Sequence, residues 1–251
     1  MTNPHPTAAQ PDESETLWIV PGEARYAEQQ QALMERVYNV KFEEPDSEVF
    51  NADMFRHHLS LFPEGQYVAL HGDQVVGFTV GMLLDFDPAH PFIEPWFTTI
   101  SDGWLRRHNT AAEWMYGVES CVDWEYQSRG VGSALMDARF NAARALNLRG
   151  MVAGSAWISF RENKERYGDI EPEDYLRRVI AGTLFDTNLT KQIKKGFKPL
   201  AVIPDYLRDN DSMGWGSVII WENPDYDPAK GRGTVERRPV PITLRPKKTR
   251  G

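Results

Sequence analysis

The sequence has a single cysteine and no long apolar run, and each of these features excludes a class of protein. Cys121 is the one cysteine in 251 residues, so a disulfide within the chain or a cysteine-based zinc site is excluded. No run approaches the roughly 18 to 20 apolar residues that cross a bilayer. The first fifteen residues lack the basic and apolar regions of a signal peptide. These features predict a cytoplasmic protein with no metal and no membrane partner.

The charge is distributed unevenly along the chain. The net charge is −8, yet residues 230–251 carry eight Lys and Arg against Glu236, or +7, which leaves −15 for the rest. An acidic body repels nucleic-acid phosphates and attracts cations. The sequence therefore predicts no nucleic-acid partner for the body and favours a cationic ligand. Residues 229–251 are predicted to form a flexible or extended basic tail, and a role as a nucleic-acid or partner arm stays open for it.

Apolar periodicity alternates along the chain between helical and strand-like spacing. Residues 1–15 are polar and proline-rich, which predicts disorder. The remainder predicts one α/β domain over residues 16–228, with a mixed sheet and insertions at about 85–112 and 155–187. The predicted helices are 24–40, 50–62, 131–146, 173–181 and 189–195, and the predicted strands are 66–71, 74–84, 113–122, 150–154, 198–203 and 217–221.

The segment VDWEYQSRGVGSALM, from Val122 to Met136, places two glycines between a predicted strand and a predicted helix. Unpaired amides and the dipole at a helix N-terminus bind anions, and Gly130 and Gly132 let the backbone approach a ligand closely. A pyrophosphate is the expected ligand, and an ordinary flexible loop that binds no ligand is the alternative. A P-loop is excluded because no lysine follows Gly132. The dinucleotide fingerprint is excluded because residue 135 is leucine.

A third phosphate-binding pattern fits the segment at every fixed position. It requires Gln or Arg, then x-x-G-x-G or x-x-G-x-A, and it is met by Gln127, Gly130 and Gly132. Val122, Tyr126 and an alanine-rich helix accompany it, and KQIKKGFKPLAVIPDY (191–206) adds a short helix, Gly-Phe and a strand. With these blocks in order, the chain resembles the GNAT superfamily of N-acetyltransferases. The resemblance implies a central, mostly antiparallel sheet with a splayed parallel strand pair and flanking helices.

The resemblance also implies acetyl-CoA or another acyl-CoA as co-substrate, and it assigns roles around the turn. Backbone groups near Val122 would hold the pantetheine arm, and donors at Cys121, Val122 and Asp123 would polarise the thioester carbonyl. Gln127 would brace the turn. The amides expected to hold the pyrophosphate are those of Ser128, Arg129, Gly130, Val131, Gly132 and Ser133.

Transfer to an amine requires the neutral amine, and only about one lysine-like amine in a few thousand is neutral at pH 7. Glu119 is the candidate base, and an ordinary strand carboxylate is the alternative. Gln192 stands where many family members have a tyrosine acid, and glutamine cannot act as an acid. Tyr206, Tyr175 or water could replace it, or the thiolate could leave unaided.

The resulting prediction is an N-acyltransferase, first of all an acetyltransferase, that passes the acyl group from CoA directly to an amine in a ternary complex. The acceptor is expected to be a cationic small molecule or peptide amine, and the two long insertions are expected to shape its site. An acyl-CoA sensor or interaction module without turnover is one alternative. Acyl transfer to oxygen or sulfur, or decarboxylation of a malonyl thioester, is another. A homodimer stays open.

Overall fold

The computed structural model describes residues 16–246, so the predicted disorder of residues 1–15 falls outside the described part. Its strands are β1 (Thr16–Pro21), β2 (Tyr67–His71), β3 (Gln74–Leu84), β4 (Trp114–Val122), β5 (Gly150–Ala156), β6 (Lys198–Ile203), β7 (Gly216–Glu222) and β8 (Val240–Thr243). They form one sheet in the order β6-β7-β5-β4-β3-β2-β1-β8. Its α-helices are α1 (Ala27–Tyr38), α2 (Ala52–Leu61), α3 (Trp96–Thr99), α4 (Val131–Ala145), α5 (Phe160–Tyr167), α6 (Pro172–Ile180) and α7 (Leu189–Lys194).

The neighbouring strands are antiparallel except β4 and β5, which run parallel. Their register runs from Trp114 opposite Gly150 to Gly117 opposite Ala153, while β4 continues to Val122. The two strands therefore part beyond Gly117, and a wedge opens between them. This confirms the predicted mixed sheet with a splayed parallel pair.

Two apolar layers cover the two faces of the sheet. Leu33 of α1 and Phe55 of α2 belong to one layer, and Leu135 of α4 and Leu189 of α7 belong to the other. Side chains alternate between the faces of a strand, so β4 contributes to both layers. Within residues 16–246, no helix is long and apolar enough to cross a membrane.

A bulge in β4 sets the direction of the side chains that follow it. Gly81 of β3 pairs with Gly117, but Val80 pairs with Glu119, so Val118 is the extra residue. Bulges re-aim side chains and often lie next to active sites. Val80 belongs to the layer that contains α1 and α2, and a residue paired with it shares its face. Glu119 is therefore directed toward α1, just beyond the point where the wedge begins.

Part of the segment predicted as a basic tail forms a strand. Residues 240–243 are β8, the edge strand of the sheet, which pairs with β1 through Thr16 opposite Thr243 and Ile19 opposite Val240. The local signal for this strand is weak, because it is short and contains a proline, which strands tolerate mainly at a sheet edge. Its position next to β1 is what makes it a strand. Residues 247–251 lie outside the described part.

Candidate active site

The turn between β4 and α4 leaves the first amides of the helix without helical acceptors. Gly130 is the N-cap residue, and no side chain caps the helix. Ala134 N donates to Gly130 O at 3.0 Å and begins the α-helical ladder. The amides of Val131, Gly132 and Ser133 therefore point out of the helix end, where the dipole is positive. This arrangement is suited to an anion such as a phosphate group.

Gly130 and Gly132 are glycines for different reasons. Gly130 has a φ of 100°, a left-handed conformation that residues with a side chain rarely adopt. Gly132 is helical, and a Cβ built on it would meet only Val122 Cγ2, at the ordinary contact distance of 3.8 Å. Packing within residues 16–246 therefore does not require glycine at position 132. Close approach of a ligand would require it.

Side chains on the strand side hold the turn in place. Gln127 Nε2 donates to Val122 O at 3.0 Å, which is consistent with a bracing role. Asp123 accepts from Glu125 N at 3.0 Å and forms an ion pair with Arg36 of α1. The turn is thus tied both to the end of β4 and to α1.

The C-terminal segment brings positive charge to the turn. Arg245 N donates to Arg129 O at 3.0 Å, and Arg129 Nε donates to Arg245 O at 3.2 Å. The exposed Arg245 side chain lies 3.5 Å from the position that a Cβ on Gly130 would occupy. Two guanidinium groups therefore lie beside the glycine turn of an otherwise acidic domain.

The backbone of β4 turns alternate groups toward the wedge. Asp123 N donates to Val76 O of β3 at 2.9 Å. Because amides alternate sides along an antiparallel strand, the amide of Cys121 also faces β3, and those of Ser120 and Val122 face the wedge. Among the three predicted thioester donors, Val122 is the one whose amide can reach a ligand in the wedge, while Cys121 and Asp123 shape its surroundings.

Two further groups on this edge of β4 have side-chain partners. Val118 O accepts from Trp96 Nε1 at 2.9 Å, and Ser120 N donates to Glu119 Oε1 at 2.7 Å. Trp96 lies in α3, inside the insertion at 85–112. That insertion therefore packs against the bulge in β4.

Glu119 lies half-buried on the α1 side of the wedge. Tyr38 Oη, at the end of α1, donates to Glu119 Oε1 at 3.0 Å. Burial raises the pKa of Glu119, although the amide of Ser120, the hydroxyl of Tyr38 and the charge of Arg139 act in the opposite direction. A carboxylate with a raised pKa in a cleft is suited to act as a general base.

Tyr206 is the tyrosine that the fold brings toward Glu119. A Cβ built on Gly154 of β5 would lie 2.0 Å from Tyr206 Oη, so the glycine makes room for this hydroxyl beside the wedge. Burial raises the pKa of Tyr206 well above its ordinary value, and neighbouring Tyr116 and Glu119 add to the effect. The hydroxyl is therefore protonated at neutral pH.

The other residues considered for the acid role have different partners. Tyr175 Oη donates to Asp186 Oδ2 at 2.8 Å and packs against Trp157. Gln192 Oε1 accepts from Ser155 Oγ at 2.5 Å. Cys121 is buried, and burial raises the pKa of its thiol, so the thiol is neutral and packs as a small core residue.

Tyr206 also lines a cavity of about 550 Å³. Its lining includes four carboxylates, those of Asp46, Glu48, Asp102 and Asp205, and one guanidinium, that of Arg208, which pairs with Asp46 at 2.9 Å. A larger cavity of about 660 Å³ lies around Trp114 at the start of β4, at the opposite end of that strand from the turn. Among residues 16–246, no group of three His, Cys, Asp or Glu is arranged to hold a metal ion.

Sequence reasoning missed three contributors to this site: Tyr38, Arg139 and Arg245. Tyr38 and Arg245 reach the site from distant parts of the chain, and nothing local marks them. Arg139 did leave a signal, because it lies four residues after Leu135 and three before Ala142 on the apolar side of α4. A charged residue on such a face predicts either a buried partner or a ligand.

A splayed parallel strand pair, followed by a glycine turn at a helix N-terminus, is the arrangement that the resemblance to the GNAT superfamily implied. The chain belongs to the acetyltransferase (GNAT) family, whose model matches residues 31–158, half of the chain. The family predicted from the turn and the Gly-Phe block is thereby confirmed.

Two curated relatives from Bacillus subtilis (strain 168) are similar to this chain. One, named "Probable hydrolase YhcX", is 29% identical over 73% of this chain but only 35% of its own length. The other, named "Uncharacterized N-acetyltransferase YkwB", is 24% identical over 74% of this chain and 80% of its own length. The chain thus spans about a third of the first relative.

Solved structures with the same fold include two GNAT-like proteins. One is described as the GphF GNAT-like decarboxylase in complex with isobutyryl-CoA, with a TM-score of 0.66 and 18% identity over 82% of this chain and 98% of that one. The other is the loading GNATL domain of CurA from Lyngbya majuscula, with a TM-score of 0.62 and 13% identity over 82% of this chain and 98% of that one. At these identities the likeness establishes the fold alone.

Proposed function

We propose that this chain binds an acyl-CoA in the wedge between β4 and β5 and transfers the acyl group directly to an amine. The observation that carries the proposal is the placement of Glu119. It lies on the α1 side of the wedge, beside the strand edge that ends in the glycine turn. A base is thereby set next to the place where a thioester entering from the turn would end.

The cofactor would be anchored at the turn. Its pyrophosphate would accept from the amides between Ser128 and Ser133, and its pantetheine arm would pass along the edge of β4, past the amide of Val122, toward Glu119. Gly132 would allow the close approach. Arg129 and Arg245 would neutralise phosphate charge, since guanidinium groups pair strongly with phosphate.

Arg245→Glu is expected to weaken acetyl-CoA binding by about 10- to 100-fold, because one charge-assisted contact contributes about 1.5–3 kcal/mol. The weakening should shrink as salt is raised. Calorimetric titration at two salt concentrations measures both effects. Arg238→Glu, which makes the same change at an exposed residue of the same segment, is the control. Equal binding by native protein and Arg245→Glu would remove the C-terminal segment from the cofactor site.

In the transfer step, Glu119 would accept a proton from the ammonium group, directly or through a water. The neutral nitrogen would attack the thioester carbonyl carbon, the carbon–sulfur bond would break, CoA would leave as a thiolate, and the nitrogen would give up its second proton to water. The amide of Val122 would bind the pantetheine arm, so that the thioester lies further along β4, next to Glu119. Tyr206, protonated and close to Glu119, could protonate the thiolate in place of the tyrosine that Gln192 replaces.

The acceptor would enter from the cavity beside Tyr206. The four carboxylates in that lining favour a cationic small molecule or a peptide amine.

We expect Asp205→Asn to raise the KM for a cationic acceptor about two- to fivefold, as is typical for one exposed charge, and to leave acetyl-CoA binding unchanged. Asp225→Asn, distant from the cavity lining, is the control. An unchanged KM for every cationic acceptor would argue against this entry route.

A binding module without turnover is the second candidate, and Gln192 in place of the family's tyrosine favours it. The two functions differ in one assay. A transferase releases free CoA only when an amine is present, whereas a sensor binds acyl-CoA and releases none. Consumption of a malonyl thioester without free CoA would instead indicate decarboxylation.

A further inference from the structure

Arg139 is a buried charge that the fold leaves without a partner. It lies in the middle of α4 and is 6% exposed. Among residues 16–246, no side chain or carbonyl accepts a hydrogen bond from its guanidinium group, and no carboxylate lies within ion-pair distance of it. Its Nε is fully enclosed. Buried arginines are almost always paired, so this side chain needs an explanation.

The position of the guanidinium group supplies one. A Cβ built on Gly117 would lie 2.8 Å from Arg139 Nη1 and 3.5 Å from Ala153 Cβ. Gly117 and Ala153 are the last paired residues of the parallel strands β4 and β5. The guanidinium group therefore lies at the narrow end of the wedge, on its α4 side, and the glycine at 117 makes room for it.

The charge on Arg139 is retained in this position. Burial lowers its pKa to about 10, and the Glu119 carboxylate counteracts part of that effect, so the group is cationic at neutral pH. Glu119 does not neutralise it by contact, because Glu119 turns toward α1 and bonds to Tyr38 and to the amide of Ser120. A cationic donor thus faces the inner end of the wedge with free hydrogen-bonding capacity.

A thioester that enters the wedge from the glycine turn extends toward this end. The turn is at the C-terminal end of β4, and Gly117 is five residues before Val122, or about 17 Å at the rise of a strand. The pantetheine arm would run along that stretch, so the acyl chain would lie deepest. The group nearest Arg139 would then be the far end of the acyl chain.

We propose that Arg139 binds a carboxylate at the far end of the acyl chain, so that the preferred acyl donor is the CoA thioester of a short dicarboxylic acid. The proposal rests on the proposed acyl-CoA site. A carboxylate supplies two oxygens for the planar fork of an arginine and also neutralises its charge. The carbonyl of an acetyl group supplies one oxygen and no charge, and a simple alkyl chain supplies neither.

The test compares calorimetric titrations with malonyl-CoA, succinyl-CoA, acetyl-CoA and free CoA. The native protein is expected to bind malonyl-CoA or succinyl-CoA at least about tenfold more tightly than acetyl-CoA, as one charge-assisted contact allows. Arg139→Met should lose this preference and keep its affinity for free CoA. Arg144→Met, at the next arginine of the same helix, should retain the preference.

The possible outcomes separate this proposal from the one on which it rests. If the native protein binds acetyl-CoA and both dicarboxylic thioesters equally, the carboxylate role of Arg139 is overturned while the acyl-CoA site stands. If no CoA compound binds, both proposals are overturned. The comparison of the three thioesters on the native protein tests the role of Arg139 even if Arg139→Met fails to fold. If Arg139 has only a structural role, Arg139→Met should be less stable than the native protein. If Arg139 is an unpaired buried charge, the apo form of Arg139→Met should melt at or above the native melting temperature.

Discussion

Gly132→Asp is expected to abolish acetyl-CoA binding without destabilising the protein. A Cβ at this position meets only Val122, at 3.8 Å, so the side chain fits. The position is the second residue of α4, where a carboxylate interacts favourably with the helix dipole by about 0.3–1 kcal/mol. The same carboxylate would lie where a pyrophosphate is proposed to bind. We therefore expect an unchanged or higher melting temperature and a dissociation constant raised at least about 100-fold.

The matched control is Asn141→Asp, which adds the same charge to an exposed position of the same helix. Nine residues separate the two positions, or about 13 Å along the helix axis. Calorimetry and thermal unfolding on the three proteins separate binding from stability. Gly130→Asp is a poorer probe, because a φ of 100° at Gly130 makes loss of folding an alternative explanation. Tight binding of acetyl-CoA by Gly132→Asp would show that the turn does not hold the pyrophosphate.

Glu119→Gln is expected to lower the rate of acyl transfer to an amine by about 100- to 10,000-fold, the usual contribution of a general base. Glutamine keeps the shape and can still contact Tyr38, so binding of acyl-CoA should change little. Steady-state kinetics with a saturating acyl donor measures the effect on kcat. Glu113→Gln, at an exposed glutamate just before the same strand, is the control.

The pH profile gives this prediction a second readout. A base must be ionised, so the rate should fall as the pH drops through the pKa of Glu119, which burial raises above the ordinary glutamate value. That acidic limb should disappear in Glu119→Gln, and the remaining activity should follow ionisation of the amine alone. An acidic limb that persists unchanged in the variant would mean that another group is the base.

The glycine turn and the elements on either side of it could be predicted from the sequence because their signals are local. Gln127, Gly130 and Gly132 act within a few residues of one another, and α4 has a clear apolar period. The hairpin of β2 and β3, which turns at Gly72 and Asp73, also has a local signature, since a Gly-Asp pair favours such a turn. Periodicity left the arrangement of the strands open, and the family resemblance supplied the expectation of a mostly antiparallel sheet with one splayed parallel pair.

The rest of the site depends on distances across the fold. Tyr38 meets Glu119 from 81 residues away, and Arg245 meets Arg129 across 116 residues. The face on which Glu119 lies is set by a bulge at Val118, and a bulge changes pairing without changing the apolar pattern. Such contacts cannot be predicted from one sequence, because each forms only when the strands are arranged in the sheet.

The measurement that tests the central claim most directly is the release of free CoA from acetyl-CoA and malonyl-CoA by the native protein. A thiol reagent follows the release, with and without cationic small-molecule and peptide amines. Mass spectrometry then measures the mass of the amine products. The account predicts CoA release that requires an amine, with one acyl group added to that amine. Tight binding of both thioesters with no amine-dependent release, under any acceptor, would contradict it and leave a binding module.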